Sequence, residues 1–260
     1  FSRLKLHSAC VSLLGDDHLK AYIISDLTAD GVDTSLLNHF PGELTDYSVI
    51  LVASDGGRTI ITNRGSTCLE SKNIDWDKIK GTSWFYISSL EGNIGLLEEL
   101  VGFAHENNIK VALNPGNREL SQPSSLIPLL SYVDFLLLNR TESEGLTLLS
   151  ADTPKFWEKL KSFGTPIIAV TNGRDGAHVL FDGQKFYSPI INTNPVDETG
   201  AGDSFGSAFV AALIHGLDPQ LALQWGIHNS ASVVSSLGAK IGLLTFDTMN
   251  LNLKDYAAKT

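Results

Sequence analysis

From residue 84 onward, apolar runs of strand length alternate with longer stretches of helical spacing. "WFYISSL" (84–90) reads as a strand, and "IGLLEELVGFAHENN" follows with Ile94, Leu97, Leu100, Val101 and Ala104 on one helix face. "KVALNP" then reads as a strand, "SSLIPLLSYV" as a short helix and "DFLLLN" as a strand. "ESEGLTLL" and "TPKFWEKLKSFG" read as helices, the second ending on Gly164, and "PIIAVTN" is a strand again. This alternation predicts an α/β fold, doubly wound, with a mostly parallel sheet and helices on both faces.

The first third breaks that rhythm. Residues 48–65, "SVILVASDGGRTIITNRG", are two β-rich runs around "DGG", which predicts a hairpin serving as a sheet edge or a flap. The last quarter is mainly helical. "GAGDSFGSAFVAALIHG" runs as a helix to Gly216, a C′ glycine, and a second helix opens with Asp218 as N-cap and Pro219 in first position, continuing from Gln220 to about Leu237 before Gly238. The two predict a helical hairpin that opens on a glycine-rich turn. No internal repeat, low-complexity tract or interdomain linker interrupts the chain, and 260 residues suit one large α/β domain or two small ones.

Composition narrows the chemistry. With 29 acidic against 19 basic residues the formal charge is -10, which disfavours nucleic acid and anionic lipid as partners. Any phosphate bound here must be held by local geometry. Cys10 and Cys68 are too few for a disulfide scaffold and have no metal-ligand partner at a telling spacing, so a reducing, intracellular compartment is the simplest reading. No apolar run approaches the ~20 residues that span a bilayer. The amino-terminal "FSRLKLHSACVSLLG" lacks the apolar core of a secretory signal, and the sequon at Asn139 then reads as incidental.

Candidate chemistry concentrates in "DETGAGDSFGSAF" (197–209). Gly200, Ala201 and Gly202 at a helix start leave backbone N–H groups without intrahelical partners, backed by the positive end of the helix dipole. Such a turn cradles an anion. It resembles a dinucleotide loop only superficially, because that loop follows the first strand of its unit and has an acid about 20 residues on. Here the nearest acid in that direction is Asp218, in a helix-to-helix turn. Asp203 beside an anion cradle makes sense if the negative charge develops only during reaction while the carboxylate takes a proton from an attacking hydroxyl, the pairing that phosphoryl transfer needs. The alternative is that Asp203 merely complements the helix dipole.

The stretch Asp197, Glu198, Thr199, Gly200, Ala201, Gly202, Asp203 closely resembles the D-T-x-G-A-G-D signature of the ribokinase, or PfkB, family of sugar and nucleoside kinases. "LLGDD" (13–17), "GVDTS" (31–35), "NPGNRE" (114–119), "NRTE" (139–142) and "TNGRDG" (171–176) resemble further family segments in the family's order, from residue 6 to 245. The resemblance implies one kinase domain over 1–260 with a β lid at about 48–65, a cytoplasmic enzyme using ATP and Mg²⁺, and a small sugar or nucleoside as acceptor. It implies a monovalent cation such as K⁺ near Asp197 and Thr199, while the hairpin at 48–65 could pair between subunits and form a homodimer. It assigns Asp203 as the base, with the amides of Gly200, Ala201 and Gly202 as the anion hole. Asn139 and Glu142 would organise Mg²⁺ and triphosphate, largely through water, and Thr171, Gly173 and Gly176 would face the nucleotide. His228, Asn229 and Gly238 would border the adenine, and Asn114 and Arg118 the acceptor.

Most of these residues have a plainer alternative. Asn139 and Glu142 have the spacing of a helix N-terminal box, Thr171 and Gly173 that of a turn, Asp197 that of loop bonding, and Asn229 that of a core amide. Asn114 and Gly116 depart from the family's commoner D-x-N-x-R form. Family members also begin with a strand carrying a substrate-gripping aspartate and a G-G-x-x-x-N segment. This sequence joins the pattern after both, as a fragment of a longer kinase or a shortened relative would, leaving a sheet edge to be covered. Two other classes compete: a nucleotide-binding regulatory module without catalysis, and a dinucleotide-dependent oxidoreductase.

Overall fold

The computed structural model describes residues 1–52, 58–65 and 68–257. The chain forms two compact units, one of Phe1–Asp75, Ile191–Ala211 and His228–Thr260, the other of Trp76–Ile190 and Ala212–Ile227.

In the first unit, β1 (Ser12–Leu14), α1 (His18–Ala29) and β2 (Leu37–His39) make a short parallel βαβ element, with Ser12 opposite Leu37 and Leu14 opposite His39. Asp17 caps α1 through the amides of Leu19 and Lys20, and also accepts from the amide and hydroxyl of Thr45. Gly15 permits this crossing, since a β-carbon there would lie 2.2 Å from the Thr45 nitrogen. β3 (Tyr47–Val52) and β4 (Arg58–Asn63) then pair antiparallel as the expected hairpin, from Tyr47 opposite Asn63 to Val52 opposite Arg58. Its "DGG" turn, residues 55–57, lies outside the described residues.

The second unit runs α2 (Trp76–Ile79), β5 (Trp84–Ile87), α3 (Ile94–Glu106), β6 (Lys110–Leu113), α4 (Asn117–Leu120), α5 (Pro123–Leu126), β7 (Phe135–Asn139), α6 (Arg140–Thr147), α7 (Pro154–Lys161), β8 (Ile167–Thr171), β9 (Ala177–Phe181) and β10 (Gln184–Ser188). The six strands form one sheet in sequence order, β5 to β8 parallel and β9 and β10 antiparallel. Val111–Leu113, Phe135–Leu138 and Ile168–Val170 are buried without alternation, which requires cover on both faces of the sheet. α3 supplies Leu96, Leu97, Leu100, Val101 and Ala104, and α7 supplies Phe156 and Leu160.

Two details of this unit differ from expectation. The helix expected over 124–133 is α5 followed by 3₁₀ turns over Ile127–Tyr132; Pro128 brings no amide to continue an α-helix. The β9–β10 hairpin extends the parallel sheet with antiparallel strands, turning at Asp182 and Gly183, both at positive φ (49° and 71°), as a two-residue hairpin turn requires.

The chain leaves the first unit within α8 (Ala201–Ile214) and returns to it within α9 (Pro219–Val234), then ends in α10 (Phe246–Ala257). Gly216 closes α8 at φ 80°, and Asp218 caps α9 by accepting from the Leu221 amide at 2.9 Å. α9 stops at Val234, short of the expected Leu237. Among the described residues no helix is long and apolar enough to cross a membrane.

Candidate active site

In the first unit, residues 197–203 form a tight turn into α8. Gly200 sits at φ 79°, and a β-carbon there would lie 2.4 Å from the Ala239 carbonyl oxygen, so glycine is demanded twice, by conformation and by space. The Gly200 carbonyl accepts from the Ser204 amide at 2.9 Å, while the Ala201 amide reaches the Glu198 carbonyl only at 3.3 Å. Gly202 is exposed, and a β-carbon there would meet nothing within 4 Å. Asp203 is exposed in the first turn of α8.

Asp197, 2% exposed, spends its carboxylate on the loop. Oδ1 accepts from the Thr199 amide at 2.9 Å and Oδ2 from the Gly238 amide at 3.0 Å. Beside it the Thr199 hydroxyl oxygen is buried with no hydrogen-bond partner, an unsatisfied state that native structures rarely tolerate without a ligand, water or ion. Asn229 donates to the Ser204 carbonyl at 2.8 Å and accepts from the Leu244 amide at 2.9 Å, so both ends of its amide hold α8 and the 244 segment. Gly238 takes φ 99°. His228 is buried, which lowers its pKa.

In the second unit, the parallel strands deliver the other candidates to one edge. Register places Ile87 beside Leu113 and Asn139 beside Thr171, so the segments after β5, β6, β7 and β8 all emerge from the carboxyl end, where open α/β sheets bind ligands. Asn139 caps α6: its Oδ1 accepts from the Glu142 amide at 2.9 Å and Glu142 Oε2 accepts from the Asn139 amide at 2.8 Å. The N-terminal box is therefore formed. Burial pushes the Glu142 carboxyl above its ordinary pKa, and the Asn139 N–H only partly opposes this.

The glycines of 171–176 have separate causes. Gly173 is at φ 51° with open space around it, whereas a β-carbon on Gly176 would lie 2.1 Å from the Ser188 carbonyl oxygen. Gly176 thus lets the turn close against the end of β10, and its carbonyl accepts from the Asn172 amide at 2.8 Å.

Asn114 donates to the Leu137 carbonyl at 3.1 Å, tying the end of β6 to β7, and Arg118, exposed on α4, pairs with Glu91 at 3.2 Å. Two residues the sequence reading passed over organise this corner. Glu119 is 1% exposed and accepts from the amides of Leu90, Gly92 and Gly116 and from the Ser89 hydroxyl. Gly116 is needed there, since a β-carbon would lie 2.4 Å from Ser89 Oγ; this accounts for one of the two departures from the family pattern. Glu91 holds a left-handed φ of 57°, a conformation that non-glycine residues adopt at a cost and that clusters at functional sites. The Gly116-x-x-Glu119 spacing was the available signal for the first, and the "LEG" turn after a strand end for the second.

Among the described residues no group of three or more His, Cys, Asp or Glu is placed to hold a metal ion. The parallel sheet presenting polar loops at its carboxyl edge and the glycine turn that opens a helix on an exposed acid belong to an α/β protein of ribokinase-like fold. Residues 1–245 match the pfkB family of carbohydrate kinases, and the chain belongs to that family. It is 26% identical over 250 residues to a ribokinase of Haemophilus influenzae, covering 94% of this chain and 80% of that protein. The structure of an E. coli protein in complex with ATP and Mg²⁺ superposes with a TM-score of 0.85 at 24% identity, covering 98% of this chain and 85% of the other. The adenosine kinase of Sinorhizobium meliloti superposes with the same score at 21% identity, over 97% of this chain and 79% of that one.

Proposed function

We propose that this carbohydrate kinase transfers the γ-phosphoryl group of ATP to a hydroxyl of a sugar or related small polyol, with Asp203 as the base. The observation that carries the reading is the asymmetry of the glycine turn. Gly200 is required by its own backbone, but nothing in the protein requires Gly202, which lies exposed beside Asp203 with open space over it. A bare backbone with an adjacent carboxylate suits a phosphoryl group that must come close to the amides while an alcohol loses its proton.

In that reaction the acceptor O–H bond breaks and its proton passes to an Asp203 carboxylate oxygen. The freed oxygen bonds to the γ-phosphorus, and the bond from that phosphorus to the bridging oxygen breaks to release ADP. The amino end of α8 stabilises the charge that develops. Asn139 and Glu142 are the residues that would hold magnesium, directly or through water, and the ion would neutralise phosphate charge. The donor set suits it, since Glu142 keeps Oε1 outside the capping box and gains from a cation that offsets its desolvation. Thr171 and Gly173 would face the nucleotide, and Asn114, Arg118 and Glu91 the acceptor.

Asp203→Asn is expected to lower kcat by roughly 10²–10⁴, the range for loss of a general base, with ATP affinity little changed by calorimetry. Near-normal turnover in that variant would refute the assignment. A coupled ADP-release screen over sugars and nucleosides names the acceptor, and ATP binding without any phosphorylated product would instead favour a regulatory module.

The unpartnered Thr199 hydroxyl supports a monovalent cation, K⁺ among them, close to the Asp197 loop. Replacing potassium by a bulky organic cation should then lower turnover in the same assay, and an unchanged rate would remove the ion from the scheme. We read the chain as one kinase domain working in the cytoplasm, in keeping with free Cys10 and Cys68.

A further inference from the structure

The segment that backs the glycine turn is held from behind by a charge cluster outside the catalytic residues. Lys240 Nζ lies 2.5 Å from Asp26 Oδ2 and 3.3 Å from Asp30 Oδ2. Asp26 belongs to the last turn of α1 and Asp30 is its C-cap. Arg3 grips the same Asp30, Nε to Oδ1 at 2.9 Å and Nη2 to Oδ2 at 3.2 Å, and its Nη1 donates to the Leu243 carbonyl at 3.2 Å. One carboxylate therefore fixes the segment at both ends, at Lys240 and at Leu243.

What lies beside and within that span matters for the turn. Ala239, next to Lys240, presents the carbonyl that closes on Gly200, and Gly238 gives its amide to Asp197. Gly242 is packed against the Ser232 carbonyl, 2.5 Å from where its β-carbon would stand, and its own carbonyl accepts from the Ser232 hydroxyl at 2.7 Å. The segment packs against residues 197–200, and among its fastenings the Lys240 contacts are ionic. Lys240 and Asp26 are exposed enough that their pairing adds little to global stability. Its effect is to fix a position.

We propose that Asp30, with Lys240 and Arg3, is a positioning hub for the phosphoryl-transfer turn, setting where the Ala239 carbonyl presses on Gly200 and thereby where the amino end of α8 points. The inference rests on the kinase reading of that turn, so its test has one readout independent of catalysis. Lys240→Met and Asp30→Asn are compared with Lys240→Arg, which keeps the charge.

By hydrogen exchange, the Gly238 and Ser204 amides should exchange about three- to fivefold faster in the first two variants, the scale set by one ion pair of this exposure, and at the wild-type rate in Lys240→Arg. In the kinase assay the same two variants should lose kcat by a similar factor with acceptor KM unchanged. Raised salt should slow the wild type toward the Lys240→Met rate and slow that variant, which of this cluster keeps only the Arg3–Asp30 pair, by less. Unchanged exchange overturns the clamp. Faster exchange with full kcat in an active enzyme overturns its link to the turn, and failure of the turn's own chemistry is read separately from Asp203→Asn.

Discussion

Gly200 and Gly202 stand two positions apart in one motif and owe their identity to different forces. At 200 an alanine would need a left-handed φ and would drive its methyl into the Ala239 carbonyl; Gly200→Ala should therefore cost at least about 1–3 kcal/mol by urea denaturation, the scale of strained backbone. At 202 the fold has no objection. Gly202→Ala lies in the first turn of a helix and should keep stability or gain up to about 1 kcal/mol, while kcat falls because a methyl occupies the approach to the amides. A variant that is stable and fully active would show that no phosphate passes there. The sequence announced both glycines as one feature, since letters alone carry neither φ nor the distance to residue 239. For the same reason the sequence showed of Glu119 only its spacing to Gly116: its four donors come from residues 89, 90, 92 and 116, and three of these lie far from it in the chain.

At the scale of elements, α6 shows one pair of residues carrying two roles. The box of Asn139 and Glu142 is formed as a helix start, yet the raised Glu142 carboxyl marks a charge held against its preference. Its folded pKa lies above the unfolded value, so the native state binds that proton more tightly. The stabilisation this gives is full below the unfolded pKa and is lost as pH rises through the folded one. Glu142→Gln keeps the box, since glutamine serves equally well there. The variant should lack this part of the pH dependence in thermal melts between acid and neutral pH, be at least as stable as the wild type at neutrality, and lose magnesium-dependent turnover. A pH profile identical to the wild type's would locate the strain elsewhere. The strands and helices from β5 to β8 were legible because their apolar periods are clean. The β9–β10 hairpin was missed although "DG" sits between its strands, because a turn of two residues is easily absorbed into a longer loop when the flanking "AHVLF" and "QKFYS" alternate weakly.

For the whole molecule the notable surface is the β3–β4 ribbon. Val49 pairs with Ile61 and Ile50 with Ile60, and all four are exposed. Alternation puts Val49, Leu51 and Ile61 on one face and Ile50, Val52 and Ile60 on the other, so both faces of the ribbon are apolar. A two-stranded ribbon is marginal alone, and exposed apolar surface of this kind marks association. The expectation from the sequence is that two copies pair through this hairpin. Light scattering should report a dimer, and Val49→Lys combined with Ile61→Lys should report a folded monomer; a monomeric wild type would refute the pairing. The net charge of -10 leaves such contact to the apolar ribbon and not to long-range attraction.

β8 is interior to its sheet, with β7 alongside in the same direction and β9 in the opposite one, and Thr171 is matched to Asn139 on one side and Ala177 on the other. The same ladder that seats Ile168, Ala169 and Val170 in the core therefore also sets how far the threonine protrudes at the rim. Deleting one residue between Gly164 and Ile167 would slide both together, turning core side chains toward the wrong layer and retracting the loop that follows β8. In this stretch folding and chemistry share a single reading frame, and evolution can lengthen the loops that leave the sheet far more freely than the strand that aims them.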